Sequence, residues 1–321
     1  MKGLVAVVSF AIGLFGHAAA RADAVFPVRP LTLVVTQAAG GGMDSVARTI
    51  GQKLTAVLGQ PVIIENKPGA AENIGINSVA KAAPDGYTLL LCSNSITINP
   101  ALYRTLPYDA KRELQPIGKI ASVPLLLVAS STEPYRDLSE LVAYAKANPN
   151  KLFYGSPGTG SAHQLGMELI KSAAGIAIQH VPYKGAAPGI NDILAGTIPL
   201  FIASLPPVEP HIKSGRIRAI ATTNKTRIQQ LDKISTVGET LRGFELEAWI
   251  SIFAPAGVPL AIAAKLTGAL KAAVQDADVV AQLQRNGMVA SWAAPEELTP
   301  IMMDEESRWA AAIKHAGIKP E

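Results

Sequence analysis

The sequence predicts an α/β protein built on mainly parallel sheets flanked by helices, and three observations carry that expectation. Short β-branched or leucine-rich runs alternate with helical patterns along most of the chain. The alternation falls into two successive series, and each series contains a strand, a glycine-rich turn and an amphipathic helix in direct succession.

In the first series the strands are "LTLVVT" (31–36), "PVIIE" (61–65) and "YTLLLCS" (87–93), with helices expected over 43–58 and 71–82. "ASVPLLLVAS" (121–130) opens the second. A helix over 138–147, a strand at "KLFYG" (151–155), a helix over 161–174 and a strand at "IAIQHVPY" (176–183) follow. A helix over 186–195 then precedes strands at "IPLFIAS" (198–204) and "IRAIATT" (217–223). Beyond "EAWISIFAPAG" (247–257) the remainder reads as nearly all helical, from Leu260 to His315.

At 321 residues, 49% hydrophobic and 17% charged, the chain can bury a large core and is not of the disordered class. Its 29 Lys+Arg against 25 Asp+Glu leave a balance of +4, too scattered for a nucleic-acid surface yet comfortable for a small anion. At the N-terminus, Lys2 precedes an apolar run from Gly3 to Gly16 and the small residues of "HAAARADA". Residues 1–24 therefore read as a signal peptide cleaved after Ala20 or Ala24, which places the mature protein in the periplasm. The apolar run is shorter than the roughly 18 to 20 residues a membrane span needs. Cys92 is the one cysteine, so no intrachain disulfide forms, and its apolar neighbours predict a buried, inert thiol.

The two glycine-rich turns lie in "VVTQAAGGGMDSVAR" (34–48) and "FYGSPGTGSAHQLGMEL" (153–169). Glycines at positive φ let successive N–H groups, together with the unpaired N–H groups of a helix start, converge on one anion. A single such loop serves equally as a tight strand-to-helix turn; two loops, one per series, favour a ligand. A nucleotide is disfavoured, because neither loop carries Gly-Lys-Ser/Thr, and Ser45 stands where a dinucleotide fingerprint needs its third glycine. No cofactor is expected. Ser161 is flanked by Thr159 and His163 rather than by the glycines of a nucleophile elbow, and Ser161 and His163 do not face each other at that spacing. The histidines show no metal spacing.

The backbones of Gly40, Gly41 and Gly160 are the candidate anion donors, with hydroxyls from Thr159 and Ser161 and a polar contribution from His163. Ser161 equally suits an N-cap. Asp44 fits either a helix cap or a contact to a ligand hydroxyl, amine or water. Asn94 and Ser95 follow the third strand and line a cleft or merely turn the chain. Tyr183 and Lys184 read as an exposed cationic turn or as structural residues, and Trp249 and Trp292 as packing residues.

In order along the chain stand "FPVRPLTLVV", "AAGGGMD", "LGQPVIIENKPGAAENIG", "VAKAAPDGYTLLL", "NPALYRTLPYD", "HVPYKGAAPGINDILAGTIPL", "VEPHIKSGRIRAIA" and "FAPAGVP". In this order they make the chain resemble the periplasmic solute-binding receptors of tripartite tricarboxylate transporters, the TctC or Bug family. The resemblance implies a two-lobed type II periplasmic-binding-protein fold, each lobe a mainly parallel sheet flanked by helices. It also implies a non-catalytic, monomeric receptor holding a small carboxylate in the cleft and delivering it to the membrane subunits of such a transporter. The alternatives are a sensing module for a membrane signalling protein and an exported hydrolase using Ser161 or His163. Lobe 1 is then expected over 26–123 plus 249–321 and lobe 2 over 124–248, with hinges near "IASVPLLLV" and "EAWISIFAPAG". Two departures from the family pattern bear on the ligand. Thr36, Gln37 and Ala38 stand where relatives carry an aromatic residue between prolines, so Gln37 offers hydrogen bonds instead of a ring face. Ala203 and Ser204 stand where relatives often carry Asp and a polar residue, which leaves a ligand amine without a counter-charge.

Overall fold

A computed structural model describes residues 26–244 and 246–320, so the expected leader over 1–24 lies outside the described residues. The first series comprises β1 (Leu31–Val35), α1 (Gly42–Leu58), β2 (Val62–Asn66), α2 (Asn73–Ala80), β3 (Thr88–Ser93) and α3 (Ser95–Leu102). A short α4 (Ala110–Glu113) leads to β4 (Leu114–Val123) and β5 (Leu125–Ser130). The second series runs α5 (Leu138–Ala147), β6 (Leu152–Ser156), α6 (Ala162–Ala174), β7 (Ile178–Pro182), α7 (Ala186–Leu194), β8 (Leu200–Ser204), α8 (Leu205–Lys213) and β9 (Ile217–Thr222). The chain closes with α9 (Val237–Thr240), β10 (Ala248–Pro255), α10 (Leu260–Gln275), α11 (Ala277–Arg285), β11 (Val289–Ala293) and α12 (Pro295–His315).

Local chemistry explains the helix ends. α1 buries Met43, Val46, Ala47, Ile50, Leu54 and Leu58 on one stripe and stops at Gly59, which takes the left-handed conformation at φ 75°. α5 starts where the Asp137 carboxylate accepts from the Glu140 N–H, and α6 where the Ser161 hydroxyl accepts from Gln164 N–H.

Two sheets result, ordered β11-β4-β10-β3-β1-β2 and β7-β6-β8-β5-β9. The two-lobed α/β expectation holds, but the sheets are mixed rather than mainly parallel. β1 pairs in parallel with β2 and β3, and β6 with β7 and β8, whereas β10, β4 and β11 in one sheet and β5 and β9 in the other pair antiparallel. β4, β5 and β10, at which the chain passes between the lobes, are among these antiparallel strands. "ASVPLLLVAS" is accordingly the end of one strand and the start of another, split at Pro124, which has no N–H to continue a ladder. β11 interrupts the expected helical tail as an edge strand on β4. α3 and α8 also went unforeseen; α8 tolerates Pro206 and Pro207 because the first helical turn needs no N–H donors.

One core packs β1, β3 and β10 against α1 and α10 through Leu33, Leu91, Ile252, Ile50 and Leu270. The other packs β5, β6 and β8 against α6 through Leu127, Tyr154, Ile202 and Leu165. The last helix belongs to both: Leu298 joins Trp249 and Phe253 beside the first sheet, while Trp309 and Ile313 are buried in the second lobe's core. Trp249 is fully buried, and Trp292 lies against Gly118, as expected of packing residues. Cys92 is buried, and burial pushes its thiol well above its ordinary value.

Where α12 crosses β10 and α3, Glu305 is buried. Burial pushes its carboxyl up to about 7 against an ordinary 4.5, with partial relief from the Trp249 and Thr97 hydrogen bonds. Trp249 Nε1 donates to Oε1 at 2.9 Å. The single hydrogen of the Thr97 hydroxyl cannot serve both the Asn94 carbonyl at 2.8 Å and Glu305 Oε2 at 3.1 Å, a conflict that a protonated Glu305 removes. The folded state thus binds the extra proton between about 4.5 and 7, and stability falls as pH rises through that window. Glu305→Gln should stabilise the fold by about 3 kcal/mol at pH 8 and by almost nothing near pH 4.5, as urea unfolding at the two pH values would measure.

Candidate functional site

A cavity of about 310 Å³ lies between the lobes. The first lobe contributes Ala71 and, from α3, Ser95, Ile98, Asn99 and Leu102, with Tyr103 following; the second contributes Thr159, Gly160, Ser161 and Ala162. Ile318 and Lys319 close one side, the tail being tied back where Arg104 Nε donates to the Pro320 carbonyl at 3.3 Å.

The first wall rests on a strained turn. Ala70, Ala71 and Glu72 take φ of 46°, 49° and 76°, three successive side-chain-bearing residues in the left-handed region. Each costs about 1–2 kcal/mol, and such strain persists only where neighbours over-determine it. They do. The Glu72 carboxylate accepts from Thr36 Oγ1 at 2.7 Å, from the Ser93 N–H at 3.0 Å and from the Ser93 hydroxyl at 2.7 Å. Asn99 Nδ2 donates to the Ala71 carbonyl at 2.8 Å and to Asn73 Oδ1 at 2.7 Å, and Tyr108 donates to the same Asn73 oxygen at 2.5 Å. Behind Ser95, Asn94 is buried, its N–H donating to the Trp249 carbonyl of β10 at 3.1 Å.

The second wall is held from behind. Gly160, at φ 74°, donates its N–H to Gln164 Oε1 at 2.6 Å. The Gln164 amide must then donate through Nε2 to His180 Nδ1, 3.0 Å away, so His180 carries its proton on Nε2 and donates it to Ser156 Oγ at 2.7 Å. Burial depresses the His180 pKa, which keeps this relay neutral. Ser161 caps α6 and donates to the Gly158 carbonyl at 2.7 Å. The N–H groups of Ala162 and His163, in the first turn of α6, have no acceptor within the helix.

The two glycine loops, alike in sequence, differ in charge. Each glycine N–H is met by the side chain four residues on: Gly40 by Asp44 Oδ2 at 2.9 Å, Gly160 by the uncharged Gln164. The buried Asp44 carboxylate also takes Asn66 Nδ2 at 3.0 Å and Arg48 at 3.0 Å. Burial alone would raise its pKa, but the bonds from Arg48, Gly40 and Asn66 outweigh that and hold it below the usual range. Asp44 therefore anchors its own loop, with its charge paired to Arg48, and it takes the Gly40 N–H that an anion was expected to take. Gln37, Gly40 and Gly41 are exposed and do not line the cavity.

Of the residues singled out from sequence, Ser95, Thr159, Gly160 and Ser161 meet on the cavity wall. His163 and Ser204 bond each other beside it, Nε2 to Oγ at 3.1 Å, and burial lowers the imidazole to about 4. Ala203 is fully buried in an apolar cluster with Leu126, Val128 and Val208, and offers the cavity no surface. Tyr183 donates to Asp192 at 2.7 Å, and Lys184 is exposed outside the cavity. Sequence reasoning missed Glu72, Asn99, Leu102 and Lys319; an acidic residue directly after "PGAA" was the one available signal.

Gly160 and Gly41 differ in what they tolerate. A Cβ on Gly160 would lie 3.1 Å from Leu102 Cδ1 across the cleft and demand positive φ, whereas Gly41 sits at φ −78° and its Cβ would lie 3.3 Å from the Ala38 carbonyl oxygen. Gly160→Ala should lower the unfolding free energy by about 1–2 kcal/mol and Gly41→Ala by under about 0.5, measured by urea titration.

The family model described as tripartite tricarboxylate transporter family receptor matches residues 46–318. Protein BugT of Bordetella pertussis is 33% identical over 99% of this chain and 99% of its own length. Among solved structures, R. palustris Rpa4515 with adipate is 34% identical with a TM-score of 0.76, covering 92% of this chain and 100% of its own. MatC from Rhodopseudomonas palustris with bound malate is 31% identical with a TM-score of 0.71, covering 90% and 100%.

Proposed function

The chain belongs to the tripartite tricarboxylate transporter receptor family of periplasmic solute-binding proteins, and from that premise we propose that it captures a small organic carboxylate in the 310 Å³ cavity between its lobes. The observation that carries the proposal is the composition of that cavity. The α6 start supplies free N–H groups, Thr159 supplies a hydroxyl, and Lys319 supplies a cation. Ile98, Leu102 and Ile318 give an apolar wall. A carboxylate gains charge-assisted hydrogen bonds of roughly 1.5–3 kcal/mol each at the polar end while its carbon chain lies on the apolar one. Neighbours solved with adipate and malate carry the same ligand chemistry.

In this reading the protein works in the periplasm as a monomer and hands its ligand to the membrane subunits of a tripartite transporter. The lobes, taken as 26–123 plus 249–321 and 124–248, close on the acid by bending where β4 meets β5 and where the chain enters β10. No observation favours the hydrolase reading: the Ser161 hydroxyl is spent on the Gly158 carbonyl, and His163 pairs with Ser204.

A panel of C4 to C6 dicarboxylates should raise the melting temperature, with a stabilisation of roughly 2.7 kcal/mol at a hundredfold excess over Kd. A shift produced by sugars or peptides and by no acid would contradict the proposal. Lys319→Gln should weaken acid binding about threefold, and more at low ionic strength, as calorimetric titration at two salt concentrations would read.

A further inference from the structure

The cavity wall carries a hydrogen-bond polarity that the Glu72 carboxylate sets from behind. A carboxylate only accepts, so the one hydrogen of the Ser93 hydroxyl is committed to Glu72 Oε1 at 2.7 Å. Ser93 Oγ also lies 2.8 Å from Ser95 Oγ and receives the Ser95 N–H at 3.2 Å. With its hydrogen spent, Ser93 can serve Ser95 only as an acceptor, and the Ser95 hydroxyl must donate to it. Ser95, which lines the cavity, is left presenting lone pairs and no hydrogen. Among the described residues no protein donor reaches those lone pairs. The turn that brings Glu72 to this place is the left-handed Ala70–Glu72 segment, strained backbone retained directly behind the cavity wall.

We infer that Glu72, acting through Ser93, makes Ser95 an obligate acceptor in the cavity, so that the site selects acids bearing a hydrogen-bond donor beside the carboxylate, a 2-hydroxy group foremost. The inference rests on the receptor reading of this cavity. A plain dicarboxylate would set a methylene against the Ser95 oxygen and displace its solvent without replacing the hydrogen bond, whereas a 2-hydroxy acid donates to it and still offers its carboxylate to the α6 start. An ammonium group satisfies the same acceptor and faces the Glu72 charge one side chain behind.

The test uses C4 acids that differ only at carbon 2: succinate, both enantiomers of malate, and aspartate, titrated calorimetrically into the wild type, Glu72→Gln and Ser95→Ala. In the wild type the better malate enantiomer should bind about tenfold more tightly than succinate. In Glu72→Gln the new side-chain amide would donate to Ser93, which frees the Ser93 hydrogen for Ser95 and turns the Ser95 hydrogen into the cavity; the preference for malate should vanish or reverse. Ser95→Ala should bring the ratio to about one by deleting the acceptor, and it carries the test if Glu72→Gln fails to fold. Succinate bound by the wild type as tightly as malate and aspartate overturns the inference while leaving the receptor reading intact, as does an unchanged ratio in both variants. No binding of any of these acids or of adipate to a wild type with an intact melting curve overturns the receptor reading and this inference together.

Discussion

The architecture turns on a one-residue crossing. β4 and β5 are successive strands of two different sheets, separated only by Pro124, whose missing N–H ends one ladder before the next begins. The chain returns through β10, which inserts between β3 and β4 and pairs antiparallel with both. Two extended segments therefore join the lobes side by side. α12 adds a third tie, burying Leu298 on the first lobe's side and Trp309 and Ile313 in the second core. With the sheets joined this way, α3 and α6, each at the carboxyl end of its strand, meet across one cavity.

Within that frame, electrostatics distinguishes two loops that sequence reads as equivalents. Asp44 and Gln164 occupy corresponding places, each four residues after the glycine whose N–H it accepts. A carboxylate in that role, locked by Arg48 and Asn66, makes the first loop self-sufficient. A neutral amide, backed by His180 and Ser156, shapes the second loop without charging it. The cavity accordingly lies at the second loop and faces α3 rather than the first loop.

Much of the fold was legible because it is local. Hydrophobic alternation located the strands, and glycine and capping residues located the starts of α1 and α6. Sheet direction was not legible, since "EAWISIFAPAG" reads as a buried strand whichever way it runs. Of the cavity's lining, Ser95, Thr159, Gly160 and Ser161 had been singled out from their place after strand ends. Ala203 did not fit that rule, because alternation along β8 turns it into the core. Glu72 was invisible for a different reason: no propensity places Ala-Ala-Glu in left-handed backbone, and its partners Thr36 and Ser93 lie 36 and 21 residues away. Lys319 reaches the cavity only through tertiary packing of the tail, held by a contact 216 residues apart in sequence.

In the proposed complex one carboxylic acid is held jointly by the start of α3 and the start of α6. Amide hydrogen exchange with and without saturating succinate or malate measures this directly, because an acid seated there must protect segments of both lobes. Slowed exchange is expected at residues 95–97 and at residues 162–163 together, with residues 40–42 unchanged. Protection confined to one lobe, or centred on residues 40–42, would contradict joint capture.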